Sequence, residues 1–179
     1  MGLRRAAAYS KRKARPFTRI SSVQSKAYIK TVPPQKIVKF SMGDLKAYES
    51  GKFKFVLKLV SNERVRVQMR DNAIESARQA LNKNLETSFP GMHYFAIKVF
   101  PHHILRENKQ LAGAGADRMQ KGMQLSFGAN IGRAAMVKPG KEIFVVAVEN
   151  EKNARLVKQF FRPIKAKLPC KTRIVWERR

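Results

Sequence analysis

His102 and His103 stand side by side at the head of a stretch, Pro101–Lys121, that holds most of the residue types on which chemistry in this chain would rest. A histidine pair can serve as general acid and base on RNA, as in a ribonuclease, when both rings reach one phosphodiester. Neighbours on an extended chain point to opposite sides, so these two make a poor joint site for a substrate atom or a metal ion. With Cys170 the only cysteine, zinc is also unsupported. Gly113-Ala114-Gly115 raises a second option, a backbone cradle for phosphate. Neither the third glycine of a dinucleotide fingerprint nor the Gly-Lys-Ser/Thr of a Walker loop accompanies it. The glycines read better as freedom to turn tightly or to approach a flat partner closely. Twelve acids in the whole chain make a metal-dependent nuclease site hard to assemble. The reading is therefore of no enzyme, no metal and no cofactor. What remains in the stretch is a set of cations, Arg106, Lys109, Arg118 and Lys121, opposed by Glu107 and Asp117.

The same imbalance runs through the chain. Its 179 residues hold 38 Lys+Arg against 12 Asp+Glu, a net charge of +26. Such a charge repels itself unless a polyanion lies against it. Nucleic acid leads, and an anionic membrane surface comes second. The membrane reading lacks an apolar run of about 18 residues or a strongly amphipathic basic helix. A lone cysteine excludes an intrachain disulfide, and the basic start has no apolar core region after it, so an intracellular, cytoplasmic setting fits. Before Asp44 there is no acid at all, while Arg4, Arg5, Lys11, Arg12, Lys13, Arg15, Arg19, Lys26 and Lys30 precede it. Tyr9, Phe17 and Tyr28 are spaced among these cations, where rings stack on bases while the cations meet phosphates. Residues 1–36 are thus expected to be a basic arm, held extended by prolines and ordered on RNA.

The elements that must position these groups lie in 37–179, expected to be one α+β domain with a long loop at 101–122. A short strand is expected over 37–40. Phe53, Phe55, Leu57 and Leu59 alternate with lysines, the period-two pattern of a half-buried strand. Val65, Val67 and Met69 alternate with Arg64, Arg66, Gln68 and Arg70, which predicts a strand with a cationic outer face. Asp71 is expected to cap a helix over 72–88 with the stripe Ile74, Ala77, Leu81, Leu85. Tyr94–Phe100 reads as a strand, with His93 before it as a packing or hydrogen-bonding histidine. After the loop, Met123, Leu125 and Phe127 alternate, and Pro139-Gly140 marks a turn. Ile143–Val148 is apolar throughout, as a central strand would be. Asn150 is expected to cap a second helix with the stripe Ala154, Val157, Phe161, ended by Arg162-Pro163. Arg173–Trp176 would be a closing strand. Strands in pairs around two helices predict an α+β fold with a mixed sheet. Two extended arms of about ten residues at roughly 3.3 Å each would carry the loop's tip about 30 Å out.

One segment carries a specific resemblance. LAGAGADRMQKGM (111–123) resembles the signature of the universal large-subunit ribosomal protein sixteen family, in its archaeal and eukaryotic L-ten-e branch, whose eukaryotic members are also called QM protein. MGLRRAAAYSKRKARPFTR at the amino terminus, VPPQKIVKF, ESARQALNKNL and VKPGK follow in the family's order, so the match spans nearly the whole chain. It departs from the bacterial branch at Gln120, where that branch has glycine. The resemblance implies an α/β-hammerhead fold of archaeal type and a structural role on 23S-type rRNA below the central protuberance, with 5S rRNA and other large-subunit proteins nearby. It implies that the loop bearing His102, His103, Arg106, Lys109, Gly113, Gly115, Arg118 and Lys121 reaches toward A-site and P-site tRNA near the peptidyl-transferase centre, and that the protein joins the subunit late. An RNA-processing enzyme using His102 or His103, and a free RNA chaperone or translation factor, are the alternatives.

Overall fold

The computed structural model describes residues 16–107, 113 and 128–179. The expected alternation at Met123, Leu125 and Phe127 lies outside those residues. Among the described residues the strands form two sheets. The larger has five, in the order β1 (Ser41–Gly43), β4 (His93–Ile97), β7 (Glu142–Val148), β2 (Phe55–Ser61), β8 (Thr172–Arg178). The smaller has β3 (Val67–Arg70), β6 (Ala129–Val137) and β5 (His103–Glu107). Three helices accompany them, α1 (Leu45–Glu49), α2 (Asp71–Ser88) and α3 (Glu151–Lys165). The expected α+β class is what the chain has. Every pair of strands is antiparallel, however, and the strands divide between two sheets where one mixed sheet was expected.

The centre of the large sheet is β7, whose residues from Ile143 to Val148 are all buried. β-Branched and aromatic side chains on both faces suit a strand covered on both sides. On one face Leu57, Leu59, Phe95, Phe144, Val146 and Val148 pack with the expected stripes of α2 and α3. On the other, Phe53, Val56, Tyr94, Val145 and Ala147 form a smaller cluster closed by Ala47 of α1. Lys58, outward on β2, is held between Glu142 of β7 at 3.0 Å and Glu177 of β8 at 2.7 Å.

Several boundaries differ from the sequence reading for identifiable reasons. The first strand lies at Ser41–Gly43, just beyond the apolar run Ile37–Phe40, because Gly43 (φ +82°) lets β1 meet β4 closely. A Cβ there would stand 2.1 Å from the His93 carbonyl oxygen. Asp44 then accepts a hydrogen bond from the Ala47 N–H at 2.9 Å and caps α1, a helix of five residues too short to show a periodic stripe. Helix α3 runs through Pro163 to Lys165, although Arg162-Pro163 was expected to end it. Proline in a helix interior costs about 3 kcal/mol, and the fully buried Phe161 and Ile164 on either side hold the turn in place. Asn150 occupies the cap position of α3 without a side-chain hydrogen bond. Strand β8 extends to Arg178.

Candidate nucleic-acid interface

The stretch from Pro101 was expected to be all loop, and its first part is not. His103–Glu107 is strand β5, paired along β6. Alternation fails to reveal it because three successive residues, His103, Ile104 and Leu105, are all buried. His103 sits opposite Ala134 of β6, and Ala134 sits opposite Arg70 of β3. Cross-strand partners share a face, so one row of the small sheet unites Arg70 from the cationic strand with His103. The chain leaves β5 at Glu107 and re-enters β6 at Ala129, and these two are themselves paired. The remainder of the expected loop therefore departs from and returns to one point on the small sheet.

Residues 16–36 of the expected basic arm are laced onto the body, together with 37–40. Phe17 N–H donates to His103 Nδ1 at 2.7 Å, and the Phe17 carbonyl accepts from the Ile104 N–H at 3.0 Å. Arg106 lays its guanidinium over the Phe17 ring, 3.9 Å from the centroid, and Tyr28 meets that ring edge-on at 5.4 Å. A turn closes behind them, with Tyr28 and Ile29 N–H groups donating to the Arg19 carbonyl, and it buries Ala27 and Ile29. Further on, Asn130 donates its side-chain amide to the Thr31 carbonyl, and Arg133 donates Nε to the Pro33 carbonyl at 2.8 Å. Two carboxylates on α2 hold the last part. Asp71 accepts from the Lys36 N–H at 3.2 Å and Glu75 from the Val38 N–H at 3.4 Å.

Those two acids are tuned in opposite directions. Burial pushes the Asp71 carboxyl above its usual range, against the pull of the two N–H groups it accepts. Hydrogen bonds from Arg78, at 2.6 and 2.8 Å, hold the Glu75 carboxyl below its usual range. Asp71 was expected to cap α2. It begins that helix and ties down Lys36 as well.

Of the cations singled out in the sequence, Arg19, Lys26 and Lys30 are exposed on a stretch of backbone fixed by these bonds. Arg64 and Arg66 are exposed ahead of β3, and Arg70 is half-buried. The cationic face of β3 is not a plain alternation. Gln68 is 4% exposed and Val65 is 41% exposed, the reverse of the expected pattern. His103 is 5% exposed inside its strand, whereas His102 is on the surface, 4.6 Å from the Phe100 ring, itself stacked on Phe40 at 5.4 Å. Gly113 has a φ of +132°, in the region that favours glycine. Arg4, Arg5, Tyr9, Lys11, Arg12, Lys13, Arg15, Lys109, Gly115, Arg118 and Lys121 lie outside the described residues. Sequence reasoning missed Asn130 and Arg133. Neither stands in a motif, and only their hydrogen bonds to the carbonyls of Thr31 and Pro33 reveal them.

His93, read as a packing histidine, is fully buried with Nδ1 3.2 Å from the Phe89 carbonyl. Among the described residues no cluster of three or more His, Cys, Asp or Glu forms a metal site, and no helix is long and apolar enough to cross a membrane.

This basic surface belongs to a chain that matches the family model of ribosomal protein L16p/L10e over residues 13–175. The chain belongs to that family. It is 44% identical over 179 residues to the large ribosomal subunit protein uL16 of Pyrobaculum calidifontis, covering 99% of this chain and 95% of the relative. The uL16 protein of Thermofilum pendens is 45% identical over 163 residues, covering 90% and 89%. That of Staphylothermus marinus is 42% identical over 178 residues, covering 99% and 95%. These relatives are archaeal, and the similarity takes in the N-terminal segment and both sheets.

Proposed function

We propose that the protein is a structural constituent of the large ribosomal subunit in the cytoplasm, without chemistry of its own. It binds large-subunit rRNA below the central protuberance, among neighbouring large-subunit proteins. Residues beyond β5 extend toward the acceptor ends of A-site and P-site tRNA, supporting tRNA positioning and late subunit assembly. The observation that carries this reading is the pairing of Glu107 with Ala129. It gives the intervening residues a single rooted base, on the sheet to which the segment bearing the exposed cations Arg19, Lys26 and Lys30 is hydrogen-bonded. In a chain of net charge +26 a polyanion is the partner those cations suit. The basic residues 1–15 and the cations of 108–122 would add phosphate contacts.

Stoichiometric retention on large subunits through a high-salt gradient tests the assignment. A resident protein stays with the subunit, and a visiting chaperone washes off. On isolated rRNA fragments, about 0.7–0.9 log units of affinity per phosphate contact should be lost for each log unit of salt. Loss from the subunit in the gradient together with a shallow salt slope would overturn the reading.

A further inference from the structure

Where residues 16–31 cross the edge of β5 and β6, a groove of about 710 Å³ opens, lined by Phe17, Tyr28, Lys30, Arg106 and Asn130 among others. Its size falls within the roughly 300–1,000 Å³ typical of sites for small organic groups. The composition of the lining narrows the kind of group. Tyr28 keeps 53% of its surface exposed although its neighbours Ala27 and Ile29 are buried. Its ring is held by the edge-on contact with Phe17 and by the backbone bond to Arg19, so it is presented without being covered. Arg106 lies over Phe17 and also lines the groove, so it supplies a cation there. Lys30, with its ammonium tied to the Gln24 carbonyl, supplies another cation in the lining. Among the described residues no acid is part of that lining. A neutral apolar occupant would leave two cations uncompensated, and an acidic peptide would leave the aromatic face unused.

We propose that this groove takes one unpaired nucleotide of RNA, its base stacked on Tyr28 and its phosphate facing Lys30 and Arg106. The proposal rests on the RNA-binding reading above and adds to it a preference for a base out of its helix. Paired bases have both faces occupied by their neighbours and cannot enter, whereas any unpaired base offers a π-face. The preference is therefore for structure over sequence.

Full-length protein is tested by filter binding on two RNA hairpins of the same stem, one fully paired and one carrying a single unpaired 2-aminopurine. The wild type should bind the bulged hairpin roughly 5- to 150-fold more tightly, the usual value of one base–aromatic stack, and should quench the probe's fluorescence. Tyr28→Ala should abolish both the preference and the quenching while leaving affinity for the paired hairpin and its salt slope unchanged. Tyr28→Phe should keep both. Tyr28→Leu, which retains packing against Phe17, replaces the alanine variant if circular dichroism shows that one unfolded. Equal, salt-sensitive binding of both hairpins by the wild type would overturn the groove's role and leave RNA binding standing. A preference that survives in the alanine or leucine variant would overturn it too. Failure to bind either hairpin or rRNA fragments would remove the RNA reading itself.

Discussion

In the five-stranded sheet the central strand β7 meets apolar side chains on both faces, and two long helices seal one of them. In the three-stranded sheet the central strand β6 carries Asn130, Gly132 and Arg133, and two of these spend their polar groups holding residues 31–33. One sheet is bound by area removed from water. The other joins the same core through Met69, Ala135 and Val137, and elsewhere is bound by directed hydrogen bonds to an N-terminal segment and by one cation laid on a ring. The first kind of contact contributes most of the folding free energy. The second contributes little net stability per bond but fixes positions. Stability and partner binding should therefore separate between the shared core and the hydrogen-bonded N-terminal segment.

The widest separation is expected from Phe144→Ala. Emptying a fully buried aromatic site costs about 3–5 kcal/mol, which for a chain of this size lowers Tm by roughly 6–20 °C. Thermal unfolding followed by circular dichroism checks it, and a drop of a degree or two would break the assignment of stability to the large sheet. The converse test replaces Arg19, Lys26 and Lys30 together with glutamine. The log–log salt slope of rRNA binding should fall by roughly 2–3 units if all three meet phosphate, with Tm nearly unchanged. An unaltered slope would move the contact surface elsewhere.

The seam between the regions gives a smaller, pH-dependent effect. Glu75 is held below its usual range by Arg78, so its stabilisation is present above pH 4.5 and fades as pH falls through the lowered folded value. Glu75→Gln should cost about 1–3 kcal/mol at neutral pH and progressively less in acid. Asp71 is raised by burial above 3.8, so its charged form destabilises the fold as pH climbs through the raised folded value. The penalty of Asp71→Asn should accordingly shrink with rising pH. Urea denaturation across that range distinguishes the two, and parallel profiles would contradict the opposed environments. The smallest effect belongs to Lys58, whose partners Glu142 and Glu177 are partly exposed. Lys58→Met should change stability by less than about 1 kcal/mol.

The same division explains what was legible in the sequence. Helices α2 and α3 and strand β7 were readable because burial by apolar neighbours imposes a period, and Ile74, Ala77, Leu81 and Leu85 or the run Ile143–Val148 display it. Strand β5 escaped notice because His103 is buried among apolar residues and Arg106 is spent on a ring. The period-two pattern of β2 and β3 identified strands but not their partners, so two sheets looked like one. Pro163 was read as a stop because local propensity is silent about Phe161 and Ile164, whose burial overrides it. At the candidate interface, composition located the cations of 16–36. Nothing in composition distinguishes a free arm from one pinned by Phe17, Thr31 and Pro33, since those bonds use backbone atoms that every residue possesses.

Strand β2 lies between β7 and β8, and its register with β8 runs from Phe55–Arg178 to Ser61–Thr172. During synthesis the residues of β2 are made long before either neighbour. Even after β7 has docked, the other side of β2 remains an open row of backbone donors and acceptors until residues 172–178 have been added. Open strand edges recruit other chains, and non-local pairing is slow to form. The nascent protein thus keeps an open edge on β2 until β8 has been made and docks there.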